Sequence, residues 1–173
     1  MSPSQKHVIL AAGLASMLSA PVMAQDVTLA FAELSTAEGA PAGTVELNQT
    51  PNGVLVVISL TGMTPGERAI HLHETGSCAP DFSAAGDHFS PDGKQHGFTN
   101  PDGPHAGDLP NIFVSVDGTA AAHVLNQRIS LSGDGGLLDE DGAAVIVHEF
   151  ADTYGEDAGA GGRVACGVIE ASS

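Results

Sequence analysis

The histidines of this sequence are concentrated in one stretch. Five of the eight lie between His71 and His105, in HLHETGSCAPDFSAAGDHFSPDGKQHGFTNPDGPH, where most other residues are polar or turn-forming. Histidine is the side chain that most often binds metals. Imidazoles scattered through a loop stay together only when something binds them. The clustering therefore predicts a metal site, and the spacing of the ligands indicates which metals it could hold.

His71 and His73 are one residue apart in the apolar segment AIHLHE. Alternate residues of a β-strand point to the same face, so both imidazoles can reach one metal ion. The same spacing is also typical of two surface histidines on a half-exposed strand. His148 ends the apolar segment AAVIVHE and could complete this site, although a lone histidine there is usually a core or edge residue. Imidazole-rich sites suit copper as well as zinc.

Three further histidines and an aspartate follow in the loop: His88, His96, His105 and Asp108. Three imidazoles and one carboxylate make a complete tetrahedral zinc site with no position left open. A closed site of this kind is structural, so it would order the loop. The alternative is a solvated loop that binds no metal.

The segments that must position these residues alternate between apolar and polar positions, as β-strands do. VTLAFAEL, GTVELNQ and GVLVVISLTGM precede the histidines, and a PNG turn at residues 51–53 joins the last two. TPGERAIHLHE, NIFVSVDGTAAAHVL, AAVIVHE and RVACGVIE supply further strands, and RISLSGDGGLLDEDG supplies a short strand and a turn-rich connection. About eight strands with spaced turns predict an all-β fold, an eight-stranded antiparallel Greek-key β-barrel or β-sandwich.

Two loops interrupt this pattern. Residues 74–110 show no periodicity, and a loop of that length within one domain is usually functional. The second loop, FADTYGEDAGAGG at residues 150–162, is rich in glycine. His123 lies in AAAHVL, apart from both loops, and is predicted to be a partly exposed strand histidine.

The first 24 residues have the composition of a secretory signal peptide. Lys6 is followed by an apolar run from Val8 and by the small-residue sequence VMA, which ends at Ala24. We expect cleavage after Ala24, which leaves one domain over residues 25–173 in the periplasm. The apolar run is too short and too broken for a permanent membrane span. The alternative is an uncleaved helix that anchors the chain to a membrane.

Charge and cysteine content narrow the function further. The formal net charge of −16 argues against a nucleic-acid partner, because binding to phosphate needs a basic surface. An exported chain with two cysteines is predicted to form one disulfide, between Cys78 and Cys166. Thiolate ligation of a metal is the weaker alternative, since neither cysteine has a partner at C-x-x-C spacing.

Six segments together, AIHLHETGSC, GDHFSP, KQHGF, HAGDLPNI, GAAVIVHEFADT and GGRVACGVIE, resemble the copper,zinc superoxide dismutases, specifically their exported bacterial branch. The resemblance runs from about Val27 to Glu170, over nearly all of the predicted mature chain. It implies a sandwich or barrel fold. It also implies that a redox-cycling copper converts superoxide to O2 and H2O2, with a structural zinc, in defence of the periplasm.

The resemblance assigns a ligand set to each metal. Copper would be bound by His71, His73, His88 and His148. Zinc would be bound by His88, His96, His105 and Asp108. His88 would thus bridge both metals as an imidazolate. On reduction its bond to copper would break, and the ring would take up a proton that assists peroxide formation.

The resemblance also assigns roles around the metals. Arg163 would attract and orient superoxide. Asp152 would hydrogen-bond one ligand of each metal, His71 and His96. Cys78 and Cys166 would form the disulfide that fixes the long loop to the last strand.

One departure concerns the attraction of superoxide to this acidic chain. Residues 149–162 contain no lysine, and Arg68, Lys94 and Arg128 are the other cations after residue 24. We expect Lys94 to help Arg163, and association with superoxide to be slower or more salt-sensitive than is usual in the family.

The sequence suggests three functions. The dismutase accounts for every ligand. A non-catalytic copper or zinc binding or delivery module on the same fold is the second, and an adhesion domain, which leaves the histidines unexplained, is the third. The resemblance is compatible with both a monomer and a homodimer.

Overall fold

Apolar residues at alternate positions build the strands that the sequence predicts. The structure is a computed structural model and describes residues 28–172. Its strands are β1 (Leu29–Ser35), β2 (Pro41–Thr50), β3 (Gly53–Leu60), β4 (Gly66–Arg68), β5 (Ile70–His73), β6 (Ile112–Val114), β7 (Ala120–Asn126), β8 (Ala144–His148), β9 (Arg163–Val168) and β10 (Glu170–Ala171).

Eight of these strands form one antiparallel sheet. Its order is β5-β8-β9-β1-β2-β3-β7, with β10 paired to β1, while β4 and β6 pair as a separate two-stranded sheet. The neighbours β5–β8 and β3–β7 are far apart in the chain, and such long connections are characteristic of a Greek key. The predicted eight-stranded antiparallel Greek-key β-barrel is confirmed.

The long strands bury one face each in an aliphatic core. On β3, Val54, Val56, Ile58 and Leu60 are buried, and the residues between them are more exposed. β1 and β2 follow the same alternation with alanine, valine and leucine. Each large aliphatic side chain buried in this way contributes roughly 1.5–3 kcal/mol. This core rigidly supports the sheet that carries His71, His73 and His148.

β5 and β8 differ from the other strands because every residue in them is buried. Ile70 and Leu72 of β5 belong to the main core. His71 and His73 alternate with them and therefore point to the opposite face of the sheet. That face is covered by the long loop after β5, so the two histidines lie between the sheet and the loop.

The long loop contains little regular structure. Its one short helix is a 3-10 turn, Phe82–Ala85, which Asp81 caps by accepting a hydrogen bond from the Ser83 backbone N–H. The loop is attached to β9 by a disulfide between Cys78 and Cys166, 88 residues apart in the chain. The predicted pairing is thus confirmed. Closing a loop of this length lowers the conformational entropy of the unfolded chain, which stabilises the folded state by about 4–5 kcal/mol.

One strand prediction is wrong. RISLSGDGGLLDEDG forms turns throughout, with no strand between β7 and β8 in this described segment. Its apolar side chains Ile129, Leu131 and Leu137 are buried all the same. Their backbone groups pair locally, since the Leu137 N–H donates to the Ser130 carbonyl and the Leu138 N–H to the Leu131 carbonyl. Burial of apolar residues therefore did not require a strand.

The predicted signal peptide at residues 1–24 lies outside the described residues. Over residues 28–172, no helix has both the length and the apolar character that a membrane crossing requires.

Candidate metal centre

β5 and β8 bring three histidines together from two neighbouring strands. His71 and His73 alternate on β5, and His148 is the last residue of β8. The two strands pair antiparallel, and the His71 and His148 ring centroids are 4.9 Å apart. A fourth histidine, His88, comes from the loop, and its ring centroid lies 4.1 Å from that of His71.

Backbone pairing fixes the loop against β5. The Leu72 N–H donates to the Gly107 carbonyl at 2.9 Å, and the Leu72 carbonyl accepts from the Phe89 N–H at 2.9 Å. Two isolated bridges, His71 with Asp108 and His73 with His88, extend this pairing. A side chain at position 107 would collide with the Leu72 carbonyl, so glycine is required there. The loop ligands are therefore held nearly as firmly as those on the strands.

A second group surrounds Asp108, which is 1% exposed. Its Oδ2 accepts hydrogen bonds from the backbone N–H groups of Gly97 and His105, both at 3.0 Å. Its Oδ1 faces three imidazoles, with the Nδ1 atoms of His88, His96 and His105 at 2.9, 3.1 and 3.3 Å. One oxygen is thus anchored by the backbone, while the other converges with three ring nitrogens.

Burial alone would raise the pKa of Asp108. The hydrogen bond with His88 and the one from the Gly97 N–H outweigh that effect, so the pKa lies well below its ordinary value. The carboxylate is therefore ionised at neutral pH, which is the form that binds a metal.

Both groups have the composition and the geometry of metal sites. In each, one potential ligand atom per residue lies within 4.8 Å of all the others. The first group is His71, His73, His88 and His148, and the second is His88, His96, His105 and Asp108. Only His88 belongs to both, and an imidazole has a nitrogen on each side of its ring to serve two ions.

Unpaired ring nitrogens show that the residues fit a metal. Over residues 28–172, the buried side-chain nitrogens without a hydrogen-bond partner all belong to this centre: Nδ1 of His71, Nε2 of His73, Nδ1 of His105, and both ring nitrogens of His148. Unpaired polar atoms in a protein interior are costly and rare, so each calls for an explanation. A metal ion bound at one nitrogen of each ring would provide one.

The protonation state agrees with metal binding. Burial lowers the pKa of His73 to about 2, despite a hydrogen bond to the Gly86 carbonyl. Burial, together with the nearby His71, lowers the pKa of His148 to about 3. Burial also lowers the pKa of His71 and of His105. These imidazoles are therefore neutral at physiological pH, as metal ligands must be.

Asp152, in the second loop, joins the two groups. Its Oδ2 accepts from His71 Nε2 at 2.8 Å, and its Oδ1 accepts from His96 Nε2 at 3.1 Å. These bonds leave Nδ1 of each ring free to face its group. Burial would raise the pKa of Asp152, but the bond with His71 and the Tyr154 N–H keep that pKa below its ordinary value.

Two residues that the sequence did not indicate hold Asp152 in place. The Asn111 side chain accepts from the Asp152 N–H at 2.8 Å and donates to its carbonyl at 2.9 Å. The Tyr154 N–H donates to Asp152 Oδ1 at 2.6 Å, and the Tyr154 hydroxyl accepts from the Asn111 N–H at 2.7 Å. Tyr154 has φ +63°, the only left-handed backbone at a non-glycine residue between 28 and 172. In the sequence, only one feature distinguishes Tyr154: it is the single tyrosine of the chain.

Arg163 opens β9 directly opposite His148 in the sheet. Its guanidinium donates to the Phe82 carbonyl at 2.6 Å and to the Gly86 carbonyl at 2.7 Å. The Gly86 carbonyl also accepts from His73 Nδ1, so one oxygen joins the arginine to a histidine of the first group. Partial burial lowers the pKa of the guanidinium, and Asp87 and Asp81 oppose that shift.

The other described cations lie elsewhere. The Arg68 guanidinium donates to four carbonyls, including that of Glu149 at 2.7 Å. The Arg128 guanidinium lies 5.7 Å from the ring centroid of Phe98. Lys94 is exposed beside a depression that Asp92, Asp102 and Glu156 also line. His123 is exposed on β7, apart from the metal centre, as the sequence predicts.

A Greek-key barrel with two adjacent metal-binding groups that share one histidine defines a class of two-metal β-barrel proteins. Residues 41–169 match the family described as copper/zinc superoxide dismutase. The chain belongs to this family, whose description names copper and zinc as its metals.

Similar proteins support this placement. The superoxide dismutase (Cu-Zn) of Caulobacter vibrioides is 45% identical over 148 residues, which cover 82% of this chain and 85% of that protein. Superoxide dismutase (Cu-Zn) 2 of Aquifex aeolicus is 44% identical over 146 residues, covering 81% and 85%. A solved structure described as a SOD-like protein from Bacillus subtilis has a TM-score of 0.76 at 39% identity, covering 80% of this chain and 96% of that one.

Proposed function

We propose that this protein is a superoxide dismutase of the periplasm, which converts two superoxide anions and two protons to O2 and H2O2. The observation that carries the proposal is the shared histidine: His88 belongs to two adjacent ligand groups, and buried, unpaired ring nitrogens converge on them. A site that only stored metal would have no need for a cation beside it, whereas Arg163 is hydrogen-bonded next to the first group.

We assign copper to the all-histidine group and zinc to the group that contains Asp108. Imidazole ligands suit copper, and a set of three histidines and one carboxylate is a complete tetrahedral set for zinc. Bound copper would supply reversible one-electron transfer, which zinc cannot, so the zinc group would serve to order the loop.

Arg163 would bring the substrate anion to the site. Its two hydrogen bonds to carbonyls fix the guanidinium, so its charge does not have to be reoriented when an anion arrives. A fixed positive charge at the mouth of a cleft concentrates small anions there.

His88 would manage a proton. Its Nδ1 lies 2.9 Å from Asp108 Oδ1, which leaves Nε2 on the other side of the ring for the first group. We propose that Nε2 takes up a proton and gives it to the reduced substrate. Asp108 would hold the ring in place during this exchange, because its own position is fixed by two backbone N–H groups.

A second candidate function is metal storage or delivery without turnover. The similar structure from Bacillus subtilis is described as SOD-like, and its description stops short of naming it a dismutase. This alternative uses the same ligands and differs only in activity.

The test is superoxide decay after pulse radiolysis, with copper and zinc quantified in the same sample. We expect fast decay that scales with copper content. His148→Gln should lose copper and activity, whereas His123→Gln, a matched change at an exposed histidine of β7, should lose neither. Full metal occupancy without accelerated decay would contradict the dismutase and leave the storage function.

The location and the extent of the mature domain are part of the proposal. The disulfide favours an oxidising compartment. We propose that residues 1–24 are removed on export and that residues 25–173 form the working domain. N-terminal sequencing of protein recovered from the periplasm should begin at Gln25; a start at Met1 would contradict it. The monomer and the homodimer stay alternatives, which sedimentation equilibrium would distinguish.

A further inference from the structure

Two exposed aspartates flank the arginine beside the first metal group. The carbonyls that accept from the guanidinium belong to Phe82 and Gly86. Asp81 immediately precedes the first of these residues, and Asp87 immediately follows the second. Because each aspartate adjoins a residue whose carbonyl accepts from Arg163, the backbone places both aspartates near that cation.

The two aspartates differ in their hydrogen bonds. Asp81 accepts hydrogen bonds from the Ser83 N–H and hydroxyl, which lower its pKa, so it is ionised at neutral pH. Asp87 forms its hydrogen bonds with Glu74 through the backbone: the Asp87 N–H donates to Glu74 Oε1, and the Asp87 carbonyl accepts from the Glu74 N–H. Both aspartates are exposed. Partial burial lowers the pKa of Arg163 and both carboxylates oppose that shift, which means that each is close enough to act on the guanidinium.

We propose that Asp81 and Asp87 weaken the attraction of small inorganic anions, superoxide among them, to the Arg163 side of the metal centre. The inference rests on the proposed function only in naming superoxide. A negative charge near the guanidinium subtracts from the field that an approaching anion meets. Of the other described cations, Arg68 and Arg128 are engaged elsewhere, and Lys94 lies beside Asp92, Asp102 and Glu156.

Asparagine is a suitable replacement at both positions. At position 81 an asparagine side chain can still cap the 3-10 turn, because its amide oxygen accepts the same Ser83 N–H. At position 87 the hydrogen bonds come from the backbone and are unaffected. The matched control is Glu46→Gln, which removes one charge from an exposed residue of β2, two strands away from β9 in the sheet.

The deciding measurement is the Kd of azide for the copper- and zinc-loaded protein, followed by the visible absorption of the copper. At low ionic strength we expect Asp81→Asn and Asp87→Asn each to tighten azide binding by about two- to fivefold, and Glu46→Gln to leave it nearly unchanged. The differences should shrink at high salt, because exposed charges are screened. Asp81→Asn stands alone if Asp87→Asn fails to load copper, since position 87 adjoins His88.

Two results would overturn the inference: unchanged azide affinity in both aspartate variants, or a Glu46→Gln effect of equal size, which would trace the change to net charge alone. Superoxide decay measured on the same samples separates this inference from the proposed function. Tighter azide binding in a protein that does not accelerate decay would refute the dismutase and leave the role of the aspartates standing. Fast decay with unchanged azide affinity would support the dismutase and refute the role of the aspartates.

Discussion

Removing the metals should make the protein sensitive to mild acid, and the structure gives the size of the effect. His73 and His148 have pKa values lowered from 6.5 to about 2 and about 3, because both imidazoles are buried. In the unfolded chain both would titrate near 6.5. At pH values between the folded and the unfolded pKa, the unfolded state binds protons that the folded apo-protein does not bind.

The direction of this pH effect follows from the linkage between proton binding and unfolding. A group whose pKa is lower in the folded state than in the unfolded state favours unfolding as the pH falls through the unfolded value. At pH 5 each of these histidines costs about 2 kcal/mol relative to pH 7.5, or about 4 kcal/mol for the pair. The figure depends on the unfolded pKa, so it holds for any folded pKa well below 5. His71 and His105 shift in the same direction and add to the loss.

The assay is urea unfolding of the apo-protein, with the disulfide intact, at several pH values from 7.5 to 5. We expect the free energy of unfolding to fall with a slope that approaches two protons or more per molecule. His148→Gln should reduce the slope by about one proton, whereas His123→Gln should leave it unchanged. A free energy of unfolding that is constant or rises between pH 7.5 and 5 would refute the reasoning, because it would mean that the buried imidazoles take up protons without unfolding.

The remaining predictions concern the residues around the metals. Asp108→Ala should abolish zinc binding and loosen the loop; one equivalent of zinc retained after dialysis would show that the zinc assignment is wrong. Arg163→Ala should slow superoxide decay by about tenfold and flatten its salt dependence with both metals bound; an unchanged rate would remove Arg163 from the mechanism. Asn111→Ala should weaken zinc binding about ten- to hundredfold by releasing Asp152, and it should shift the visible spectrum of a cobalt-substituted zinc site. An unaltered cobalt spectrum would mean that Asn111 does not act through Asp152.

Local pattern predicted the strands well, because alternation of apolar residues has one physical cause. β3 buries every second residue, and His71 and His73 share a face for the same reason. The wrong strand at RISLSGDGGLLDEDG shows where that logic fails. Its apolar residues reach the core from turns, since nearby backbone groups and the Gln49 side chain satisfy its N–H groups.

The metal centre could be predicted only in part from the residues themselves. Nothing local joins His148 to His71, because they meet through the pairing of β5 with β8, strands far apart in the chain. The family resemblance supplied that information. It could not supply the clamp on Asp152, because Asn111 acts through backbone contacts and Tyr154 through an unusual backbone conformation. Such roles depend on where the backbone runs, which residue types do not reveal.

The division of ligands between strands and loop has a consequence for how the two groups depend on each other. Three members of the first group, His71, His73 and His148, lie on β5 and β8, whose backbones are paired within the main sheet. All four members of the second group lie in the long loop, and only His88 is shared.

Loss of the second metal would therefore loosen the loop only where the disulfide and the pairing with β5 do not hold it, and it would leave three ligands of the first group in place on the sheet. Loss of the first metal would leave the loop fixed by Asp108 and its partners. The first group thus has a preformed part that does not depend on the second metal, which would control mainly the orientation of the His88 ring. A protein arranged in this way would still bind copper without zinc, with the His88 side of the site less well defined.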